Sequence, residues 1–306
     1  MEIKSVALLG AGAVGSYIIW GLSKLPDIRF GIIAEGSRAA RLRDEGCTIN
    51  NVTYHPQVLS PQEAKGVDLL IVALKYGALP GALATIREAV GPHTTVMSLM
   101  NGVDSEEIIA GVVDSKQILP ALIKIASRHE GNGVRFNPEK TIGIVFGEAQ
   151  APFDSERVLA IEALMRSADI HIRHTDCINE EIWCKFRLNV CNNLPQAILG
   201  AGVGCYQSSA HMKAISDGLR RELEAIATAR GIDLRIADAV SHGCAVPATA
   251  RYSTLQDLDA KRPTEIDMFS GTLVRMGKEL HVDTPFNEFA YHAIKCLEEK
   301  NSGKIR

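Results

Sequence analysis

The feature that most constrains the fold is a glycine-rich turn near the amino terminus. Residues 4–9, KSVALL, form an apolar run typical of a buried strand. The turn Gly10-Ala-Gly12-Ala-Val-Gly15 and the helical pattern SYIIWGLSKL follow directly. In a strand–turn–helix unit the first glycine permits the tight turn, the second lets a pyrophosphate approach the backbone, and the third lets helix and strand pack closely. The sequence therefore predicts a Rossmann-type dinucleotide-binding domain.

A carboxylate follows the second predicted strand, RFGIIA (29–34). Glu35 stands 20 residues after Gly15, where such folds contact the adenine ribose. A carboxylate there accepts hydrogen bonds from both ribose hydroxyls of NAD and repels the 2′-phosphate of NADP. The next residues either form a solvated helix face or hold that phosphate: Ser37, Arg38 and Arg41. The choice between NAD and NADP stays open at this point.

Two further predicted strands end in polar residues. VDLLIVALK (67–75) ends in Lys75, and TTVMSLMNG (94–102) ends in Asn101-Gly102. A continuous apolar run is typical of a parallel strand that is buried on both faces. Ligands bind at the carboxyl ends of strands in open α/β sheets. Lys75 and Asn101 are therefore predicted to contact the cofactor or the substrate.

The pattern changes from strands to helices along the chain. Strands are predicted at 117–127, within the glycine-rich segment 128–154 as hairpins, and at 170–176. Helices are predicted at 179–199, 208–230, 233–245, 264–280 and 285–300. The chain is thus expected to comprise a dinucleotide-binding domain, residues 1–175, and a helical substrate and catalytic domain, residues 176–306.

The first helix of the second half, EEIWCKFRLNVCNNLP (180–195), carries polar residues among apolar ones. Lys185, Asn189 and Asn193 are four residues apart, and each such step advances about 40° around a helix, so they form a narrow stripe. Burying these groups costs roughly 1–3 kcal/mol each unless they find partners. The stripe is either an interfacial polar network or a functional site. Asn192 lies close to the same face, and Pro195 is predicted to end or kink the helix.

The segment RYSTLQDLDAKRPTEID contains two helix-start signals. Ser253-x-x-Gln256 has the pattern of a capping box, and Thr264 after Pro263 is a candidate N-cap. Glu265 then falls in a first helical turn, where acidic residues are favourable.

Composition excludes several classes of function. The 306 residues are 46% hydrophobic and 23% charged, with a net charge of −3, which is typical of soluble globular proteins. No basic run indicates nucleic-acid binding, and no apolar run is long enough for a membrane span. The amino terminus has no basic region of a signal peptide, so a cytoplasmic protein is expected. The seven cysteines and nine histidines show no ligand spacing, which predicts free thiols and no metal.

Taken together, the motifs resemble the ketopantoate reductase (2-dehydropantoate 2-reductase) family over nearly the whole chain. The resemblance is carried, in order, by GAGAVG, VALKY, MNG, IWCKFRLNVCNNLP and STLQDLDAKRPTEID. It implies a Rossmann-type domain followed by an all-α domain like the carboxyl-terminal domain of 6-phosphogluconate dehydrogenase. It also implies the reduction of 2-dehydropantoate to pantoate by NADPH in pantothenate and coenzyme A biosynthesis. An apolar surplus in the helical domain is compatible with a homodimer.

The resemblance also implies roles for individual residues. Lys185 would be the general acid, with Asn189 and Asn193 positioning the substrate. Ser253 would bind the carboxylate or hydroxyl of the substrate, and Glu265 would contact the cofactor or hold the lysine. Lys75 and Asn101 would line the nicotinamide and ribose.

Two positions depart from the family pattern. Family members often carry a basic residue where this chain has Glu35, so NADPH is the family expectation and NADH remains open. Some carry a further asparagine where this chain has Val203, which leaves the exact 2-oxo acid open. The alternatives are a related two-domain 3-hydroxyacid dehydrogenase and a non-catalytic NAD(P) sensor, which would bind cofactor without turnover.

Overall fold

The chain divides into two compact units, Met1–Ile178 and Asn179–Arg306. The computed structural model describes residues 2–240 and 247–306. The predicted boundary after residue 175 precedes the observed division by three residues.

The first unit alternates strands and helices. In chain order its strands are β1 (Ser5–Leu9), β2 (Arg29–Ile33), β3 (Cys47–Ile49), β4 (Val52–Tyr54), β5 (Gln57–Leu59), β6 (Leu69–Val72), β7 (Thr95–Ser98), β8 (Ile118–Leu119), β9 (Ala121–Lys124), β10 (Ser127–Glu130), β11 (Gly133–Phe136), β12 (Gly143–Phe146) and β13 (Ile172–His174). Its helices are α1 (Ala13–Leu22), α2 (Gly36–Glu45), α3 (Leu79–Ala89), α4 (Ser105–Ala110) and α5 (Glu156–Ser167).

Six of these strands form one parallel sheet in the order β5-β2-β1-β6-β7-β8. Strand β1 lies in its middle, with Val6 opposite Phe30 of β2 and Leu69 of β6. The chain order runs outward in opposite directions on the two sides of β1. The carboxyl end of β1 is therefore the topological switch point, where open α/β sheets bind their ligands.

Both faces of this sheet are covered, which explains the continuous apolar strands. Leu8 of β1 and Ile71 of β6 belong to one buried apolar cluster, whereas Ala7 and Leu70 belong to another. Successive side chains of a strand point to opposite faces, so each strand contributes to both clusters. The predicted Rossmann-type sheet is confirmed.

Two smaller sheets complete the first unit. Strands β10 and β11 form the predicted antiparallel hairpin in the sheet β10-β11-β3-β4. The third sheet has the order β13-β12-β9, with β12 parallel to β13 and antiparallel to β9.

The second unit is helical over its described residues, as predicted. Its helices are α6 (Ile178–Leu188), α7 (Leu194–Leu199), α8 (Cys205–Ser208), α9 (Ala210–Ala229), α10 (Leu234–Val240), α11 (Ser253–Asp259), α12 (Thr272–Leu280) and α13 (Pro285–Asn301). The predicted helix 233–245 is seen as α10, and its last five residues lie outside the described range.

Two π-helical turns interrupt this set, and neither was predicted. The first, Asn189–Asn193, joins α6 to α7, and the second, Asp267–Gly271, leads into α12. Pro195 lies in the first turn of α7. Because proline has no backbone N–H and its ring clashes with the carbonyl four residues back, the wider turn before it lets the helix continue. Of the two alternatives predicted for Pro195, an end of the helix is not seen, and the predicted helix 179–199 continues through the π turn into α7. The regular spacing assumed for the polar stripe was wrong.

A buried carboxylate fixes the start of α13. The side chain of Glu222 in α9 accepts hydrogen bonds from the backbone N–H of Phe286 (2.7 Å) and of Asn287 (2.9 Å). It also accepts one from Nδ2 of Asn287 (2.7 Å), whose Oδ1 accepts from Ser270 (3.0 Å). Glu222 therefore supplies the anion that a helix N-terminus favours and ties three elements together.

We expect Glu222→Ala to lower the free energy of unfolding by about 3 kcal/mol, because three donors, two of them buried, lose their acceptor. Urea unfolding followed by circular dichroism measures the change. Glu279→Ala, at an exposed position of α12, is the control and should shift stability by less than about 0.5 kcal/mol. Equal stability of the two variants would show that the cap contributes nothing.

Candidate active site

The glycine turn has the geometry that the motif predicts. Gly10 has φ +111°, and a Cβ on it would lie 2.4 Å from the carbonyl oxygen of Ala73. A Cβ on Gly15 would lie 2.0 Å from the oxygen of Gly10. Gly12 is the N-cap of α1, and within the described chain a Cβ there would meet no further atom within 4 Å. Close packing therefore requires glycine at positions 10 and 15. At position 12 the missing side chain leaves open space beside the start of α1.

The amino terminus of α1 faces this open space. No side chain of the described residues caps it at Gly12. The first N–H groups of a helix have no partner within the helix and attract anions. The turn fits the pyrophosphate of a dinucleotide, because it combines these donors with a position where a side chain is absent.

Glu35 lies where the sequence predicts, at the carboxyl end of the sheet. It is the N-cap of α2, it is exposed, and its side chain makes no capping hydrogen bond to the described chain. Arg38 and Arg41 are exposed on the same helix. A carboxylate and two guanidinium groups therefore lie on or next to α2, at the position where dinucleotide-binding folds contact the ribose.

Lys75 and Asn101 follow the neighbouring strands β6 and β7. Lys75 is exposed and precedes a single 3₁₀ turn, Tyr76–Ala78, and Asn101 is partly buried beside Gly102. The hydroxyl of Tyr76 donates to Oδ2 of Asp104 (2.7 Å) and so joins the two loops. Sequence reasoning missed this link, since no local pattern indicates that residues 76 and 104 contact each other.

A polar cluster joins the end of β7 to the start of α4. Ser98 at the end of β7 contacts Ser105 of α4 (Oγ to Oγ 2.8 Å), and Ser105 donates to Oε2 of Glu106 (2.7 Å). Burial raises the pKa of Glu106 above its usual range, although hydrogen bonds from Ser105 and the backbone oppose this. These bonds fix the start of α4 against β7.

In the second unit the predicted polar residues cluster about the first π turn. Lys185 is partly buried in the last turn of α6, and Asn189 begins the π turn. Asn193 ends the turn with 3% exposure, and its Oδ1 has no hydrogen-bond partner among residues 2–240 and 247–306. Buried polar atoms are nearly always satisfied, so this acceptor is available to a ligand or to water.

The structure distinguishes Asn189, Asn192 and Asn193 by their contacts and by the exposure of their side chains. The hydroxyl of Tyr206 donates to the backbone oxygen of Asn192, which anchors the turn. The side chain of Asn193 is buried, whereas Asn189 and Asn192 are partly exposed.

Ser253 does not form the predicted capping box. Tyr252 is the N-cap of α11, without a side-chain capping bond in the described structure, and Ser253 is the first helical residue. Nε2 of Gln256 donates to the oxygen of Arg251 (2.6 Å) instead of reaching back to Ser253. The chain enters α11 one residue earlier than the pattern suggests. The hydroxyl of Ser253 is therefore exposed and not needed for capping.

Thr264 is also not the cap of a regular helix. Its hydroxyl accepts from the N–H of Ile266 (3.3 Å), and the helix begins with the π turn at Asp267. Oε1 of Glu298 in α13 accepts from the N–H (2.6 Å) and hydroxyl (2.7 Å) of Thr264. Asp267 in turn accepts from Tyr291 (2.9 Å) and Lys295 (2.6 Å) of α13. Glu265, partly buried, is held between these two anchors.

The elements that carry these residues contact one another. The first π turn contacts α11 and the second π turn, and the rings of Phe186 and Phe269 lie 6.2 Å apart between centroids. The structure therefore gathers the segments of Lys185, the asparagines, Ser253 and Glu265 within the helical unit.

Two further properties bear on function. Within residues 2–240 and 247–306, no three or more histidine, cysteine or acidic side chains are arranged to hold a metal ion. No helix in the described part of the chain is long and apolar enough to cross a membrane.

A parallel sheet with a dinucleotide-type glycine turn, followed by an all-α unit, defines the class of two-domain dehydrogenases. The chain belongs to the ketopantoate reductase family: residues 6–150 match the family described as ketopantoate reductase PanE/ApbA, and residues 177–298 match its C-terminal family. The protein is therefore an oxidoreductase, and the resemblance read from its motifs is confirmed.

Individual relatives are distant but cover more than nine-tenths of the chain. The 2-dehydropantoate 2-reductase of Mesorhizobium japonicum is 24% identical, covering 92% of this chain and 93% of the relative. A PanE/ApbA family ketopantoate reductase from Ralstonia eutropha has TM-score 0.80 at 22% identity, covering 97% of this chain and 99% of that one. D-mandelate dehydrogenase, solved with NADH and anilino(oxo)acetate, has TM-score 0.81 at 22% identity with the same coverage. These structures establish the fold.

Proposed function

We propose that this protein reduces a 2-oxo acid to the 2-hydroxy acid, with 2-dehydropantoate as the substrate and pantoate as the product. The observation that carries the proposal is the π turn after Lys185, where Asn193 keeps a buried acceptor without a partner. Ser253 lies on α11, which contacts this turn, and its hydroxyl is not used to cap the helix. A basic group, an amide and a hydroxyl are the chemistry that a 2-oxo acid requires.

The first unit fits the cofactor. Gly10, Gly12 and Gly15 would hold the pyrophosphate, and Glu35 the adenine ribose. Lys75 and Asn101, at the ends of β6 and β7, would contact the nicotinamide and its ribose. Glu265 of the helical unit would contact the cofactor or hold Lys185. The nicotinamide ring supplies a hydride when bound.

In this proposal the polar groups of the helical unit complete the reaction. Addition of hydride to the carbonyl carbon leaves negative charge on oxygen, which has to be stabilised and protonated. The ammonium group of Lys185 donates a proton to that oxygen, and the resulting amine regains one from solvent. The amides of Asn189 and Asn193 hold the substrate, and Ser253 donates to its carboxylate.

The test is the oxidation of NADPH and NADH by the purified protein with 2-dehydropantoate, followed by absorbance. We expect turnover with release of pantoate. A panel of other 2-oxo acids identifies the substrate if pantoate does not form. Cofactor binding without oxidation by any member of the panel would contradict the proposal and favour a non-catalytic sensor.

We expect Glu35→Gln to raise the ratio of kcat/KM for NADPH to that for NADH by about fivefold or more. The reason is that a negative charge close to the 2′-phosphate is removed. Arg38→Ala should lower the same ratio, because a positive charge is lost. Glu45→Gln, at the exposed far end of α2, is the matched control. An unchanged ratio in both variants would place the adenine ribose elsewhere.

Two further predictions follow from the family. The reaction would belong to pantothenate and coenzyme A biosynthesis, and the protein would assemble as a homodimer.

A further inference from the structure

A glutamine absent from the sequence predictions joins two parts of the candidate substrate site. Gln196 lies in α7, three residues beyond Asn193, and is fully buried. Its Oε1 accepts a hydrogen bond from the backbone N–H of Tyr252 (2.6 Å), and its Nε2 donates to the backbone oxygen of Ala250 (3.2 Å). Only one orientation of the amide satisfies both groups, because an N–H can only donate and a carbonyl only accept.

The segment that Gln196 holds is also packed along its length. The N–H groups of Val203 and Gly204 donate to the oxygens of Ala250 (3.0 Å) and Ala248 (2.7 Å). A Cβ on Gly202 would lie 2.7 Å from the oxygen of Ala248, so the two backbones are in close contact. Gln196 acts here like a residue of a neighbouring parallel strand, bonding to positions 250 and 252.

The consequence concerns Ser253. Tyr252, whose N–H is bound by Gln196, is the N-cap of α11, and Ser253 follows it immediately. Because Gln196 lies on the helix that continues from the first π turn, one rigid side chain connects the backbone carrying Asn193 to the backbone carrying Ser253. The side chain of Tyr252 makes no capping hydrogen bond in the described structure, so the bond with Gln196 supplies an external contact at the start of α11.

We propose that Gln196 is a positioning residue: its buried amide fixes the start of α11 against α7 and thereby sets Ser253 relative to Asn193 for substrate binding. The inference rests on the proposed function for its kinetic consequence. Its structural part is independent of that function. The amide of Gln196 bonds to the backbone of Tyr252 and Ala250 and acts on the substrate through Ser253.

The first variant is Gln196→Met, which keeps the size of the side chain and removes both hydrogen bonds. We expect KM for the 2-oxo acid to rise about 10-fold or more, since the N–H of Tyr252 loses its partner. Because substrate binding is weakened and proton donation is left intact, kcat should change little. Gln207→Met, at an exposed position of α8 in the same unit, is the control.

Amide hydrogen exchange of residues 247–256, measured by mass spectrometry, tests the structural part. We expect faster exchange in Gln196→Met than in the wild type or in Gln207→Met. Unchanged exchange, or faster exchange with an unchanged KM, would overturn the inference. If the wild type does not turn over 2-oxo acids, the proposed function fails, and the exchange experiment still decides whether Gln196 holds this segment.

Gln196→Glu provides a rescue that depends on pH. The protonated acid can accept from Tyr252 and donate to Ala250 as the amide does, whereas the carboxylate faces a carbonyl oxygen and repels it. We expect KM, relative to wild type at each pH, to rise as the acid ionises.

The neighbouring groups do not interfere with this test. Burial raises the pKa of Tyr206 and of Tyr252, so both stay neutral, and Arg251 is paired with Asp259. A KM ratio independent of pH would contradict the role of the two hydrogen bonds.

Discussion

Replacing Lys185 by alanine is expected to lower kcat for 2-oxo acid reduction by about 10²–10⁴-fold, the contribution of a positioned general acid. The physical reason is that the alkoxide formed by hydride addition then takes its proton from water. Lys185 lies in the last turn of α6, immediately before the π turn. Steady-state kinetics at saturating cofactor measure the loss. Lys213→Ala, at an exposed position of α9 in the same unit, is the control.

Two additional measurements separate proton donation from charge. Lys185→Arg keeps a positive charge on a group that does not deprotonate, so it should preserve much of the substrate binding and remain slow. Added methylammonium should restore part of the activity of Lys185→Ala, because it replaces the missing donor. Wild-type kcat in Lys185→Ala would remove this residue from the mechanism.

The second large effect is expected from two glycines of the same turn. Gly12→Ala should leave folding almost intact, with a change below about 1 kcal/mol in the free energy of unfolding. Its methyl group enters the open space next to α1, so the Kd for the dinucleotide should rise about 10-fold or more. Gly15→Ala places a methyl group 2.0 Å from the oxygen of Gly10 and should destabilise the first unit by about 3 kcal/mol or more.

Thermal unfolding and cofactor titration by fluorescence distinguish the two variants. Gly81→Ala, at an exposed position of α3 with no atom of the described chain near the added Cβ, should resemble wild type in both assays. If Gly12→Ala binds the cofactor normally, the pyrophosphate does not lie on this turn. If Gly15→Ala is as stable as wild type, helix and strand are not in the tight contact described.

The first unit was largely predictable because its signals are local. The run KSVALL, the glycine turn and the following helix are adjacent in sequence, and each glycine role follows from one backbone position. Parallel strands buried on two faces have continuous apolar sequences, so β6 and β7 were recognisable. The positions of Lys75 and Asn101 then followed, since they directly succeed those strands.

In the helical unit the helices themselves were predictable, but where they start and how their turns are wound were not. The pattern Ser253-x-x-Gln256 matches a capping box, yet Gln256 bonds to Arg251 and the N–H of Tyr252 is bound by Gln196. A contact between residues 56 positions apart overrides the local preference. The regular helix assumed through Asn193 becomes a π turn before Pro195, because continuing the helix requires a wider turn there.

The sequence by itself determined the glycine turn, the main parallel strands, the change from strands to helices along the chain, and the family of the protein. These depend on hydrophobic periodicity and on backbone geometry at single residues, which neighbours along the chain specify. The tertiary structure decided which asparagine is buried, that Ser253 is free of capping, and that Gln196 joins α7 to the start of α11. Such features depend on hydrogen bonds between distant residues, and their partners are fixed only when the helices pack.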